Sequence, residues 1–310
     1  SEIYGSNFHI MRKTRSATPR IGRRDFVRGS TRLLGTTLTL NSPFSEAEQH
    51  GSEKGKKSES ATKTAKVSLV KGDSRYHNIY QSLKMIEEDI KAGIGNKQVV
   101  IKPNNVMVDR PLAVTHLDCL TAILDVVAPM CQKPVIIAES PADKPAMVGF
   151  ENYGYTKLQK EYNVRLLDLD NDEQSRFFIL SKNHRPMPIL VSSMMMDPNV
   201  YLISAAVMKT HNTVVATLSL KNILMGAPLK TKEVHHKQRV HQGIKEINYS
   251  FFLMAQRLKP SLSIIDGFQG MEGDGPADGD EAVEAKVAVA GTDFLAVDRV
   301  GVEVMGIDFS

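Results

Sequence analysis

The sequence has only two cysteines, Cys119 and Cys131, and no tryptophan among its 310 residues. Two thiols cannot supply the four ligands of a zinc site or an iron–sulfur cluster, so no iron–sulfur cluster is expected from this chain alone. The two cysteines flank a predicted helix that would hold them about 18 Å apart at ~1.5 Å per residue, which is too far for a disulfide. Both are therefore predicted to be free, buried thiols.

Long apolar runs are also missing. No stretch of eighteen apolar residues occurs, so no ordinary transmembrane helix is expected. The hydrophobic content of 42% and the charged content of 24% are nevertheless those of a globular chain, which excludes general disorder and a collagen-like structure.

An excess of positive over negative residues is confined to the first 66 residues. Those residues carry 13 Lys and Arg against 6 Asp and Glu, which leaves 26 against 29 for residues 67–310. A nucleic-acid-binding domain needs a basic face to replace the counterions of the phosphates. The mildly acidic body therefore predicts that nucleic acid is not a partner.

The basic N-terminal part, residues 1–40, resembles a twin-arginine export signal from Met11 onward. Arg23 and Arg24 are followed by Asp25, two apolar residues and Arg28, and a short, weakly apolar stretch ends at Leu40. The resemblance implies the twin-arginine translocation machinery as a partner and a periplasmic or other extracytoplasmic location. A basic disordered tail is the alternative interpretation.

Residues 41–66 contain one large apolar residue, Phe44, among Ser, Glu, Lys and Gly. Such a segment cannot bury enough surface to offset its chain entropy, so it is predicted to be a disordered linker. Residues 67–310 then form the folded domain.

In that domain, short β-branched runs alternate with longer helical periods, which predicts an α/β fold with a mainly parallel, doubly wound sheet and flanking helices. The predicted strands are Val67–Val70, Gln98–Lys102, Pro134–Ala138, Val164–Asp168, Val200–Ala205, Ser261–Asp266 and Lys286–Ala290. The predicted helices are Tyr76–Lys91, Leu117–Met130, Tyr153–Glu161, Thr213–Met225, Gln242–Leu258 and Phe294–Met305. Phe177–Leu180 and Met187–Val191 are predicted to form an inserted β-hairpin.

Polar residues follow four of these strands. In parallel sheets ligands bind beyond the carboxyl ends of the strands, so these residues are predicted to share one site. They are Lys102, Asn104, Asn105, Glu139, Ser140, Lys209, His211 and Asp266. Each alone has an ordinary explanation, such as a solvated lysine or a turn-forming asparagine.

Two more segments contribute candidates. Lys221 and Asn222 are expected late in an apolar helix, where a solvated face or a favourable helix-end cation would also explain the lysine. A Gly-Ala-Pro break at residues 226–228 then precedes a basic segment with His235, His236 and His241, predicted to form a lid. Adjacent histidines point in different directions on regular structure, so at most one of the first two is expected to share a site with His241.

A glycine-dense segment from Asp266 to Pro276 carries Asp266, Glu272 and Asp274. It matches neither phosphate-binding glycine fingerprint nor the spacing of an EF-hand. These carboxylates are predicted either to hold a divalent metal or to belong to a flexible acidic loop.

Together, several short motifs resemble one prokaryotic family, the domain of unknown function 362. They are IKPNN, TH, IIAES, KTH, SLKN, IIDGFQGMEGDGP and AGTDFLAVD, and the resemblance covers roughly residues 67–310. It implies an architecture rather than a reaction. Many members carry an appended ferredoxin-like segment that this sequence lacks, and the family pattern implies that the native chain continues past Ser310.

The sequence thus predicts an exported α/β protein whose site binds a small anionic molecule. Lysines 102, 209 and 221 would attract a carboxylate or phosphate. His116 and His211 would perform acid–base chemistry or bind a metal, with Lys209 beside them. A metal- or cofactor-dependent enzyme fits this set, and a non-catalytic extracytoplasmic ligand-binding or redox-partner protein is the alternative.

Overall fold

The computed structural model describes residues 36–41, 64–276, 279 and 281–307, so the twin-arginine pair lies outside the described residues. The strands are β1 (Thr36–Asn41), β2 (Thr64–Lys71), β3 (Gln98–Pro103), β4 (Val135–Glu139), β5 (Val164–Asp168), β6 (Gln174–Leu180), β7 (Pro186–Ser192), β8 (Val200–His211), β9 (Val215–Thr217), β10 (Leu262–Glu272), β11 (Glu281–Val283) and β12 (Val287–Gly291). The helices are α1 (Arg75–Lys84), α2 (Glu87–Ile94), α3 (Leu117–Val127), α4 (Ala146–Asn152), α5 (Leu158–Glu161), α6 (Ser219–Gly226), α7 (His236–Val240), α8 (Ile244–Ala255) and α9 (Phe294–Val304).

The main sheet has the strand order β1-β2-β12-β10-β8-β3-β4-β5. The strands from β10 to β5 are parallel to their neighbours, whereas β12, β2 and β1 are joined by antiparallel pairings. From β3 the chain moves outward to β4 and β5, and later returns to the other side of β3 as β8. This reversal creates a topological switch point between β3 and β8.

Helices cover both faces of the sheet. Successive side chains of a strand point to opposite faces, so a strand that is apolar throughout needs a cover on each face. Val99 and Ile101 pack with the residues of α1, α2 and α3, while Val100 packs with α6 and α8 on the other face. The predicted doubly wound α/β class is thus confirmed. The predicted hairpin is also present, as the separate two-stranded sheet of β6 and β7.

Two strands run further than predicted. β8 continues to His211 and β10 to Glu272, because β9 and β11 pair with their extensions. The KTH motif and much of the glycine-dense segment are therefore strand rather than loop. The register of β10 shifts between Asp266 and Met271, which lets the glycine-containing stretch bend.

Two predicted helices were wrong in extent. Residues 76–91 form two helices, α1 and α2, instead of one. The predicted helix over 213–225 starts only at Ser219, because the β-branched residues before it form β9. Lys221 and Asn222 consequently lie in the first turn of α6 rather than late in a helix.

The N-terminal boundary also differs from the prediction. Thr36–Asn41, expected at the end of the export signal, pairs antiparallel with β2 at the edge of the sheet. β2 begins at Thr64, inside the expected linker. In the described part of the chain, no helix combines the length and apolar character needed to span a membrane.

The N-terminus of α6 is held by Asp298 of α9. The Asp298 carboxylate accepts hydrogen bonds from the backbone N–H groups of Ser219 and Leu220 at 2.8 and 2.9 Å. These are two of the N–H groups that a helix start leaves without internal partners. Burial raises the pKa of Asp298 to about 7, against the opposing effect of both hydrogen bonds.

We predict that Asp298→Ala lowers the free energy of unfolding by about 1–3 kcal/mol at pH 8.5, because both backbone donors lose a charged acceptor. Urea titration followed by circular dichroism measures this. The control Glu303→Ala removes only an exposed ion pair with Arg299, so it should cost about 0.5 kcal/mol or less. Equal effects of the two substitutions would contradict the capping role.

Candidate functional site

A cavity of about 400 Å³ opens beyond the carboxyl ends of β3, β4 and β8, at the switch point of the sheet. α6 and the start of α7 form its other walls. Of the residues predicted for the site, those along the cavity wall are Lys102, Asn104, Asn105, Glu139, Ser140, His211, Lys221, Asn222 and His241. Five separate stretches of sequence therefore meet there.

A buried ion pair forms the base of the cavity. Lys102 Nζ lies 2.7 Å from Glu139 Oε1 and donates hydrogen bonds to Glu139 Oε2, Asn222 Oδ1 and the carbonyl of Pro103. Asn222 Nδ2 donates in return to the Lys102 carbonyl and to Ser204 Oγ. The two Glu139 oxygens also accept from the backbone N–H groups of Asn105 and Ser140. Lys102 is thus fully engaged and fixed in position.

Gly226, the last residue of α6, makes room for the Lys102 side chain. A Cβ atom at this position would lie 1.8 Å from Lys102 Cε and 2.8 Å from Lys102 Nζ. Any side chain here would displace the lysine from Glu139 and Asn222. The sequence indicated only a helix-ending break at this glycine.

Two buried asparagines leave polar atoms unused at the cavity. In the described part of the chain, Asn104 Oδ1 and both polar atoms of the Asn105 carboxamide have no hydrogen-bond partner. Buried polar atoms without partners are costly and uncommon in native proteins. Both residues line the cavity, and the Asn105 amide nitrogen packs against Gly149 of α4.

Four buried lysines surround this part of the molecule: Lys102, Lys209, Lys221 and Lys237. Burial lowers the pKa of each, and the neighbouring lysines lower the pKa values of Lys209 and Lys221 further. The pKa values of Lys221 and Lys237 fall to about 7. Among the described residues that line the cavity, Glu139 is the one carboxylate, against the three lysines Lys102, Lys221 and Lys237.

His211, the last residue of β8, is held as a neutral hydrogen-bond donor. Its Nδ1 accepts the backbone N–H groups of Thr213 at 3.0 Å and Val214 at 3.3 Å. A nitrogen that accepts carries no proton, so in the neutral ring the hydrogen is on Nε2. Burial, Lys221 and His241 lower the pKa of His211 to about 2. The imidazole can therefore donate from Nε2 while remaining uncharged.

The segment from His235 to His241 closes one side of the cavity. His235 and His241 line it, and the His241 ring stacks on His211 with 6.1 Å between the ring centroids. His236 is buried elsewhere, in agreement with the expectation that only one of the adjacent histidines joins His241. Burial, followed by Lys221, lowers the pKa of His241.

Lys237 was not predicted for the site. Its Nζ donates to the carbonyls of Met225, Gly226 and Pro228 at 2.9, 3.2 and 2.6 Å, which ties the segment to the end of α6. In sequence it lies among polar neighbours and resembles a solvated surface lysine. Its burial depends on the packing of α7 against α6, which no local pattern indicates.

Three predicted residues lie away from the cavity wall. Lys209 is buried behind it, where its Nζ donates to the carbonyl of Ala113. His116 begins α3 and is half exposed beside Asp118. Asp266 is buried on the face of the sheet that carries α1 and α3, and its carboxylate pairs with Arg75 Nε at 3.0 Å. The alternation of side chains along the strands puts Asp266 on the opposite face from Lys102.

Of the other two residues predicted to bind a metal, Glu272 is buried at the end of β10 and Asp274 follows that strand in an exposed position. Within the described ranges, no group of three or more His, Cys, Asp or Glu side chains is arranged to hold a metal ion. The metal assignment to Asp266, Glu272 and Asp274 stays a prediction. Cys119 and Cys131 are both free, with Cys119 buried and Cys131 partly buried.

The fold and the cavity together define an α/β protein with a lysine-lined pocket at the switch point of its sheet. The chain belongs to the family described as domain of unknown function (DUF362), whose model matches residues 99–303. The matched range includes every residue named above along the cavity wall.

The chain is also similar to the thylakoid-associated protein of Synechocystis sp., with 27% identity over 250 residues. The match covers 78% of this chain and 75% of that relative. Among solved structures, a protein from Thermotoga maritima matches with a TM-score of 0.43 and 13% identity. That match covers 76% of this chain and 59% of the Thermotoga chain.

The pKa of Lys221 predicts how stability depends on pH. The folded pKa of about 7 lies below the ordinary value of 10.5, so between these values the unfolded chain binds more protons than the folded one. Stability contributed by this group therefore rises with pH in that interval. We predict that Lys221→Met reduces the gain in unfolding free energy between pH 7.5 and pH 9 by about 1–2 kcal/mol.

Urea titrations at the two pH values measure this difference. Lys160→Met, which replaces an exposed lysine, should leave the gain unchanged. If Lys221→Met and wild type gain stability equally over this interval, Lys221 is an ordinary ammonium group in the folded protein.

Proposed function

We propose that this cavity binds a small organic anion, such as a carboxylate or a phosphate ester. The observation that carries the proposal is the excess of buried lysines over carboxylates around the cavity. Taking an ammonium group out of water without a counter-charge is costly, and the lysines respond with lowered pKa values. A bound anion would supply the missing negative charge.

The available groups suit such a ligand. Lys221 lines the cavity and makes no hydrogen bond or ion pair within the described structure, so its amino group is available. His211 offers a neutral N–H donor. Lys102 contributes its charge, but its N–H groups already donate to Glu139, Asn222 and the carbonyl of Pro103.

We favour an enzyme that converts the bound anion over a protein that only binds it. Lys221, with a pKa of about 7, exchanges protons near neutral pH, which is the property expected of a catalytic acid or base. A non-catalytic ligand-binding protein is the alternative, and it would bind the anion without converting it. The predicted divalent metal enters neither version.

We predict that oxalate, a dianion that does not titrate between pH 6.5 and pH 8.5, binds about ten-fold more tightly at the lower pH. Lys221 is mostly protonated there, whereas at pH 8.5 a proton must be taken up on binding. Isothermal titration calorimetry in two buffers of different ionisation enthalpy measures both the affinity and the proton uptake.

In the same experiment, Lys221→Met and His211→Ala should each weaken oxalate binding by about ten-fold or more, because each removes a donor that faces the cavity. Lys160→Met is the matched control and should bind like wild type. An affinity that is independent of pH and of both cavity substitutions would mean that oxalate binds elsewhere or that the cavity is not an anion site.

We further propose that the chain is exported through the twin-arginine route, with the translocation machinery as its partner. The support is the sequence from Arg23 to Arg28 and the weakly apolar stretch that follows.

We predict that replacing Arg23 and Arg24 together with Lys blocks export in a bacterial host while the protein accumulates folded in the cytoplasm. The charge is unchanged, so only the recognition of the arginine pair is lost. Cell fractionation and protease resistance measure location and folding. Lys54→Arg in the following segment is the control, and normal export of the double variant would refute the twin-arginine interpretation.

A further inference from the structure

Lys221 differs from the other buried lysines in what its amino group contacts. Lys102 is bound to Glu139 and Asn222, Lys237 to three carbonyl oxygens, and Lys209 to the carbonyl of Ala113. Lys221 makes no such contact in the described structure, although its side chain is only 9% exposed. It also lines the cavity, whereas Lys209 does not. Lys221 is therefore the lysine whose nitrogen can reach a bound molecule.

The position of Lys221 also favours the neutral amine. It is the third residue of α6, and side chains on a helix lean toward its N-terminus, where the helix dipole is positive. Burial and the charge of Lys102 act in the same direction and bring the pKa to about 7. About half of the molecules then hold an unprotonated amine at neutral pH, and such an amine is a nucleophile.

A hydrogen-bond donor lines the same cavity as this amine. The neutral His211 ring interacts electrostatically with Lys221, and its Nε2–H is not used by the described part of the chain. An oxygen that gains negative charge near Lys221 could accept this hydrogen. A fixed donor of this kind is the usual means of stabilising the oxygen of a carbonyl under attack.

We infer that Lys221 forms an imine with the carbonyl carbon of a small oxo acid bound in this cavity. The inference rests on the proposed anion-binding function and adds the substrate class and the reactive atom. The carboxylate of the oxo acid would be attracted by the excess positive charge, and the carbonyl would face Lys221 and His211. Lys102, Lys209 and Lys237 are excluded as nucleophiles because their nitrogens are occupied or lie away from the cavity wall.

The reaction balances without an oxidant or a reductant. The Nζ lone pair forms the C–N bond while the carbonyl electrons move to oxygen, which accepts the hydrogen bond from His211. A proton then moves from nitrogen to this oxygen to give a carbinolamine. The C–O bond then breaks, the nitrogen lone pair forms the C=N bond, and the oxygen leaves as water with the remaining proton of the nitrogen. Amine and carbonyl thus give imine and water.

Trapping with pyruvate and borohydride tests this inference. Pyruvate carries a carboxylate and a ketone, and surface lysines, being protonated, form ketone imines poorly. The full chain is incubated with pyruvate, reduced with sodium borohydride and digested for peptide mass spectrometry. We expect one reduced pyruvate adduct, on Lys221, that is lost in Lys221→Arg and kept in Lys160→Arg. Oxalate should protect Lys221 from modification.

The controls separate this inference from the binding function. Lys221→Arg and Lys221→Met remove the nucleophile in two different ways, so neither should form an adduct, and Lys160→Arg is the control that should react like wild type. If wild type binds oxalate in this cavity but yields no adduct on Lys221, the imine is refuted and anion binding stands. If the adduct forms at Lys221 although oxalate neither binds nor protects, the imine is supported and the binding proposal fails. Equal labelling of Lys160 and Lys221 would also refute a special role for Lys221.

Discussion

The buried ion pair between Lys102 and Glu139 is the interaction on which the site depends. It joins β3 to β4 directly and reaches α6 through Asn222, so three elements distant in sequence share one hydrogen-bonded centre. Buried ion pairs seldom add much stability, because desolvation offsets the attraction between the charges. What this pair does is fix the relative positions of groups around the cavity. Gly226 is part of the same arrangement, since a side chain there would displace Lys102.

Once Glu139 is committed to Lys102, the remaining lysines have no equivalent partner among the described residues that line the cavity. The protein tolerates this excess charge in two ways. Lys237 donates hydrogen bonds to three backbone carbonyls at the C-terminal end of α6, where carbonyls lack partners within the helix. Lys221 loses its proton near neutral pH.

The sheet divides the polar residues of its carboxyl edge into two groups. Lys102 and Ser204 point toward α6, whereas Asp266 points toward α1 and pairs with Arg75, whose guanidinium lies over the Phe268 ring. Asp266 has its pKa raised by burial, with Arg75 opposing the shift, and it serves as a structural partner at the start of α1. Residues that end neighbouring strands therefore do not all belong to one site.

The sequence by itself determined the α/β class, the hairpin, and the strand ends near which Lys102 and Glu139 lie, because hydrophobic periodicity and strand-end polarity are local properties. It could not determine which face each residue occupies, since one extra residue in a strand reverses the direction of every side chain after it. Lys237 looked like a solvated lysine, and Lys221 was expected late in a helix whose true start is set by β9 and Asp298. Only the tertiary structure brought α6 and α7 over the carboxyl edge of the sheet. Burial by those helices left Lys237 bound to backbone carbonyls and Lys221 without a hydrogen-bond partner among the described residues.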